Sequence, residues 1–312
     1  MNIHKDQTLI TSSTALSRLK HWNYLPESML LLASLIWGGG FPATKLALNS
    51  GLTASMVMAI RFCGAALLFG ILFRRELRKM PLNEWLTGTG VGLLLYFGFI
   101  TQTVGLQLTT PSRNAFMTAT YVVMVPLFSA LLYRQRPQKR IVIGAILCFA
   151  GVSILTVSAQ GLSEGHLTGD LLTLLCAVCF AFQLIALESA IAKVSVPRLI
   201  FLQMFTAAVC SLLVLPLDWV PPASVNWSQA GPSMLYLLLF SSCVAYFLQT
   251  YAQRHTSAAR TAILLSLEAL FGSLLAIVFG FDRFSIRLIF GGLVIFSAIL
   301  LVEWPAKREP LP

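Results

Sequence analysis

Long apolar runs separated by short polar connectors fill the sequence from about residue 29 to residue 304. Each run is close to the roughly 20 residues needed to cross a hydrocarbon core. The pattern predicts ten membrane-spanning helices: Met29 to Leu48, Met56 to Phe73, Trp85 to Leu106, Asn114 to Tyr133, Ile141 to Ser158, Leu171 to Ala192, Leu199 to Leu217, Met234 to Ala252, Thr261 to Gly280 and Leu288 to Trp304. The turn residues Thr109, Thr110, Pro111 and Ser112 divide the third span from the fourth. The expected fold class is an all-α integral membrane protein.

The first run departs from the others. Its stretch LIWGGGFPATKLAL, Leu35 to Leu48, carries Gly38, Gly39, Gly40 and Pro42 inside a span. There glycine costs about 1 kcal/mol and proline about 3 kcal/mol relative to alanine. Pro42 also deletes one backbone hydrogen bond and frees a carbonyl near Gly38. Such a carbonyl is costly in lipid but useful beside a polar cavity or a ligand. The stretch therefore predicts a helix break next to Trp37, whose indole supplies an apolar wall with one N–H donor. The alternative is a kinked helix whose glycines let it pack tightly on a neighbour.

Displacing the chain by 147 residues aligns ITQTVGLQLTTPSRNA, from Ile100, with FLQTYAQRHTSAARTA, from Phe247. Gln102 meets Gln249, Thr103 meets Thr250, Thr109 meets Thr256, Arg113 meets Arg260 and Ala115 meets Ala262. Coincident glutamine, threonine and arginine carry more weight than leucine matches in so apolar a chain. Five spans per copy is an odd number, so the second copy enters the membrane inverted. Inverted repeats suit alternating access, because one pair of packings serves either face of the membrane.

Composition agrees with this reading. Of 312 residues, 57% are hydrophobic and 11% charged, with a mean hydropathy of +0.79; an average soluble domain has about 25% charged residues. The net charge of +10 follows topology and does not call for nucleic acid. With a cytoplasmic N-terminus, 17 of the 22 cations fall inside, Arg113, Arg283 and Arg287 fall outside, and Lys45 and Arg61 lie within spans. That asymmetry puts both termini in the cytoplasm. Residues 1 to 24 are too polar for the apolar centre of a signal peptide, so a retained tail over 1–27 is expected. It is followed by a five-helix repeat over 28–158, an external linker over 159–170, a second repeat over 171–304 and a tail over 305–312.

The stretches ASLIWGGGFPATKLAL, MAIRFCGAALLF, TTPSRNAFMTATYVVMVPLFSALLYRQRPQKRIVIGAILCFAGVSIL and TSAARTAILLSLEALFGSLLAIVFGFDRFSIRLIFGGLVIFSAILL resemble the EamA-type transporters of the drug/metabolite transporter superfamily. The resemblance covers roughly residues 28 to 304. It implies two inverted five-helix halves around a central cavity lined mainly by helices one, three, four, six, eight and nine, and export of amino acids or other small metabolites. Ala269 and Asp282 stand where members often carry proline and glutamate.

Glu268 is the sharpest candidate. It lies eight residues past Arg260, a rise of about 12 Å, which places it near mid-bilayer, where an acidic side chain costs several kcal/mol unless it faces the bundle interior. It is expected to bind a cation, to pair, or to sit protonated, and it is the candidate for proton coupling; a protonated carboxyl bonded to a neighbouring helix is the structural alternative. Its repeat partner is Tyr121. Tyr96, Gln102, Asn114, Thr118, Gln183, Tyr246 and Gln249, with Phe182 as a stacking face, complete the candidate wall, although such amides bond adjacent helices as readily as ligands. Lys45 and Arg61 are read as stems snorkelling to the outer interface, and Trp22, Trp85, Trp219, Trp227 and Trp304 as interfacial anchors.

Six cysteines lie inside spans, where thiols pack as small apolar groups, and the four histidines lack metal-site spacing. No metal, cofactor or catalytic residue is expected, and no G-x-x-x-x-G-K-[ST] motif supports ATP hydrolysis. The expected function is secondary export of a small amphipathic metabolite across a bacterial inner membrane. Partners are that small molecule and the lipid bilayer; a homodimer stays open. The alternatives are facilitative uptake by the same fold, a membrane-embedded enzyme and a non-transporting assembly partner.

Overall fold

The computed structural model describes residues 25–134, 136, 138–158, 161, 162 and 164–303. The expected N-terminal tail over 1–24 and the residues from 304 onward, including Trp22 and Trp304, lie outside the described residues. Eight helices are long and apolar enough to cross a membrane: Leu25–Asn49, Ala54–Leu72, Leu82–Leu108, Pro111–Leu132, Leu167–Ile191, Val196–Leu217, Trp227–Gln253 and Ala258–Val278. Two shorter apolar helices, Val142–Ile154 and Ile286–Leu301, are the fifth and tenth in chain order. Together they form the ten-helix, all-α membrane fold of two inverted five-helix halves.

Helix ends and the ends of apolar runs part company after the fifth helix. Val157–Ser158 pairs antiparallel with Gly161–Leu162, and the sixth helix begins at Glu164, inside the stretch expected to be a linker. Hydropathy marks where lipid begins, whereas a helix continues for as long as its polar end is held. Here Gly169 lies against Gly105, and Asp170 is ion-paired to Arg113.

The halves interlock by exchange. The first helix packs on the eighth and ninth, and its repeat partner, the sixth, packs on the third and fourth; the second crosses the seventh and the fifth lies on the tenth. A two-fold axis in the membrane plane requires this pattern. The perimeter is apolar, with Leu67, Ile146, Phe149, Leu213 and Leu274 all at least 60% exposed, while Arg61, Asn114, Gln183, Gln203, Gln249 and Glu268 are buried.

Lipid tails are as apolar as leucine, so close backbone approach and interhelical hydrogen bonds must hold such helices together. At the crossing of the third and sixth helices, a side chain on Gly105 would meet Thr173 Oγ1 at 2.7 Å and the Gly169 carbonyl at 2.8 Å. Asn114 ties the same region, donating to Thr173 Oγ1 at 2.7 Å and to the Gln102 carbonyl at 3.2 Å. Gly105→Val should therefore destabilise the fold by about 1–3 kcal/mol, read as a lower melting temperature of the purified protein in detergent. An unchanged melting temperature would contradict the packing at this crossing.

Candidate functional site

A central cavity opens between the halves, with about 600 Å³ of empty space, its mouth included. Helical periodicity selects its wall. Trp37, Gly40, Phe41 and Thr44 present one face of the first helix, and Phe99, Gln102, Thr103 and Leu106 one face of the third; both sets follow the i, i+3, i+4, i+7 spacing that places side chains on one stripe. Phe180, Gln183 and Leu184 come from the sixth helix, Ser241, Tyr246 and Gln249 from the eighth, Leu265 and Glu268 from the ninth, Tyr121 from the fourth and Arg61 from the second.

Of the residues expected from sequence, Trp37, Gln102, Tyr121, Gln183, Tyr246, Gln249 and Glu268 lie in this wall. Four do not. Phe182 sits one residue from Gln183 and so points elsewhere on the helix, stacking on Phe128 at 4.7 Å. Tyr96 packs in an apolar cluster with side chains of the second and seventh helices. Asn114 is spent on the third and sixth helices, and Thr118 stands behind the wall, accepting from Gln102 Nε2 at 3.1 Å.

The expected break in the first helix is also corrected, because Leu25–Asn49 is continuous through Pro42. Its glycines serve close packing. A side chain on Gly38 would meet Phe271 Cβ at 2.5 Å, and one on Gly39 would collide with the Tyr236 hydroxyl; that hydroxyl donates to the Ile36 carbonyl at 2.7 Å. Gly40 faces the cavity.

The interruptions lie instead in the fourth and ninth helices. The fourth divides into Pro111–Ala119 and Tyr121–Leu132, and the ninth into Ala258–Ser266 and Glu268–Val278. The joining residues, Thr120 and Leu267, are 147 apart and share nearly the same dihedrals, −61°/−17° and −60°/−15°. At each joint a hydroxyl bonds back three residues: Thr120 to the Met117 carbonyl and Ser266 to the Ile263 carbonyl, both at 2.6 Å. Such back-bonding competes with the helical ladder. Each half-helix after the joint opens on a cavity residue, Tyr121 or Glu268. The N-terminus of a half-helix favours a negative group.

Sequence reasoning missed two features of the eighth and second helices. Leu237–Val244 is a π-helical segment, a form found mostly as short insertions at functional sites. Its Ser241 carbonyl accepts from Trp37 Nε1 at 2.9 Å. Arg61 does not snorkel: it is 2% exposed, donates from Nε to Ser242 Oγ and from Nη2 to Ser241 Oγ, both at 3.1 Å, and lies 4.6 Å from the Phe99 ring centroid. Its position seven residues past Ala54 was the available signal, since about 10 Å of helix leaves a long way to the interface. Lys45 does not snorkel either, and donates to the carbonyls of Leu106 and Thr109 at 2.8 and 3.0 Å.

Ion pairs close the two ends differently. Arg113 pairs with Asp170, which is 2% exposed and also accepts from Thr109 Oγ1 at 3.0 Å. On that face Asp282 accepts from the Ser112 N–H at 2.8 Å, and Ser55 bonds Asp218. On the opposite face Arg260, the repeat partner of Arg113, lies 3.8 Å from Glu27, with exposures of 67% and 29%. Glu27 and Asp170 are 143 residues apart, the same displacement as Trp37 and Phe180 on the cavity wall. The two pairs are thus one interaction repeated on opposite faces.

Inverted halves crossing around a polar and aromatic cavity define a multi-pass membrane transporter. The chain belongs to the EamA-like transporter family, which matches residues 25–157 and 167–304, once in each half. It is 31% identical to an uncharacterized transporter of Archaeoglobus fulgidus, over 88% of this chain and 84% of that one. It is 25% identical to the uncharacterized transporter YvbV of Bacillus subtilis, over 91% and 93%. A solved crystal structure shares the fold, with a TM-score of 0.67 at 20% identity over 92% of this chain and 99% of the other.

The wall makes distinguishable demands on function. Gln183→Leu and Trp37→Ala should lower substrate flux in proteoliposomes at least tenfold, whereas Phe182→Leu and Tyr96→Phe should leave it within about twofold. Equal losses in all four variants would show that the cavity does not define the site.

Proposed function

We propose that this transporter exports a small amphipathic metabolite, an amino acid or a related compound, across the cytoplasmic membrane by alternating access. The repeated ion pair carries this reading. Two equivalent locks on opposite faces, one tight and buried and one stretched and exposed, are what a two-state carrier needs: the conformation with Arg113–Asp170 closed exchanges with one in which Arg260–Glu27 closes. The excess of cations on the face of the termini supports a cytoplasmic location for them, and in that orientation the tight pair lies on the outer face. Relatives in Archaeoglobus fulgidus and Bacillus subtilis support a location in a prokaryotic cytoplasmic membrane.

Glu268 is the coupling group of this reading. Set at the joint of the ninth helix, it accepts a proton or a substrate ammonium group in one state and releases it in the other. Glu268→Gln should abolish the response of flux to an imposed pH gradient while exchange of substrate without a gradient persists. Flux that ignores both the substitution and collapse of the gradient would replace coupled export with facilitated diffusion.

The locks make opposite predictions. A cysteine at Thr103, in a background without native cysteines, reports access from the Arg113 face through labelling by an impermeant maleimide. Asp170→Asn should raise that labelling and Glu27→Gln should lower it, because each weakens a pair that is tight in only one of the two states of this reading. Shifts of the same sign, or no shift in either variant, would refute alternating locks.

A further inference from the structure

We infer that Arg61 is the anion anchor of the cavity, and that the transported compound carries a carboxylate beside an apolar or aromatic body. The inference deepens the transporter reading and rests on it. Arg61 is the largest fully buried side chain and forms part of the cavity wall. Everything that holds it is neutral: the hydroxyls of Ser241 and Ser242, and the faces of Phe99 and Phe62 at 4.6 and 5.5 Å. A guanidinium has five N–H donors, and the serines engage two of its nitrogens. Among the described residues no carboxylate lies within ion-pairing distance of it.

A buried cation without an anion is costly by several kcal/mol, and within a membrane such a group is kept where it meets an ion or a substrate. The π-helical segment explains how it is kept. Widening the eighth helix brings Ser241 and Ser242 to the guanidinium together, while Ser242 also donates to the Leu237 carbonyl five residues back, at 2.9 Å. Arg61 is therefore a preorganised planar fork, the geometry that matches a carboxylate. The cavity's own acid, Glu268, is on the ninth helix, and Tyr246 and Tyr121 share the wall with it and with Arg61. Trp37 and Phe99 are packed against Tyr246 at 5.0 and 5.9 Å and give the remainder of a ligand an aromatic surface. Gln249 Oε1 and Thr103 Oγ1, on residues of the wall, are buried and make no hydrogen bond with the described protein.

The experiment compares matched compounds on the purified full chain. L-phenylalanine, L-phenylalaninamide, 3-phenylpropionate and phenethylamine, with the corresponding leucine series, are titrated by thermal shift in detergent and then used as competitors of flux in proteoliposomes. The carboxylate-bearing members should bind at least about thirtyfold more tightly than the amide and the amine. Arg61→Gln should erase that preference and Arg61→Lys should weaken it, because the ammonium keeps the charge but lacks the bidentate fork. An amide or amine that competes as well as its acid, or an acid preference surviving in Arg61→Gln, overturns the anchor. If the glutamine variant fails to fold, the acid-against-amide comparison on the wild-type chain decides alone. Flux that is real but indifferent to the carboxylate sinks the anchor and spares the transporter reading; absence of flux across a broad amino-acid and metabolite panel sinks both.

Discussion

A polar group in lipid must find its partner within the protein, and this constraint shapes the molecule from the backbone upward. The π-helical segment of the eighth helix shifts its ladder by one residue and offers the Ser241 carbonyl to a donor from outside. That donor is Trp37 of the first helix, in the other half. A few residues earlier Tyr236 returns the favour to the Ile36 carbonyl. The contact between halves is therefore a reciprocal exchange of backbone acceptors and side-chain donors, set over glycines that let the chains come close enough to make it. The cavity forms beside this contact because the same widening that presents Ser241 to Trp37 presents two serine hydroxyls to Arg61.

The two halves share a scaffold and differ in chemistry. Thr110 and Ser257, 147 residues apart, cap the fourth and ninth helices in the same way, each accepting from the N–H of its own arginine, Arg113 or Arg260. The joints at Thr120 and Leu267 match to within a few degrees. Past the joint the match ends, with Tyr121 facing Glu268. Under alternating access this division is physically reasonable. Exchange between two packings requires equivalent helix contacts, whereas recognition of a ligand with distinct ends requires a cavity whose walls are unlike.

Much of this was legible in the sequence. Ten apolar runs, their charge asymmetry and the 147-residue displacement give the architecture, because lipid imposes length and composition on every span. That Glu268 lies well inside its span follows from residue count alone. Other features were not legible, for reasons the structure makes plain. Glycine and proline in the first helix signal a departure from ideal helix, but the same residues serve a break or a close crossing, and only the neighbour Phe271 decides between them. Phe182 and Phe180 look alike in sequence; the phase of the sixth helix, set by packing on the third, turns one inward. Stem length permits Arg61 to snorkel although its distance into the helix argues against it, and what holds it inside, the π-helical serines and the Phe99 and Phe62 rings, is invisible to hydropathy. The interruptions at Thr120 and Ser266 arise from hydroxyls bonding back to carbonyls, which any threonine or serine in a helix can do.

The unequal burial of the two ion pairs bears on which conformation rests. An exposed pair such as Arg260–Glu27 contributes about 0–1 kcal/mol, because water solvates either charge nearly as well as its partner does. Breaking a buried pair by removing one member costs about 3–5 kcal/mol, since the charge left behind has lost its solvent. Asp170, held by Arg113 and by Thr109, belongs to the second kind. In the reading proposed here its lock opens only as water reaches it, when the carboxylate gains hydration as it loses the guanidinium. The barrier is thus lowered by the opening that it guards. Sequence-equivalent locks need not be energetically equal, and the one that water reaches least sets the resting state.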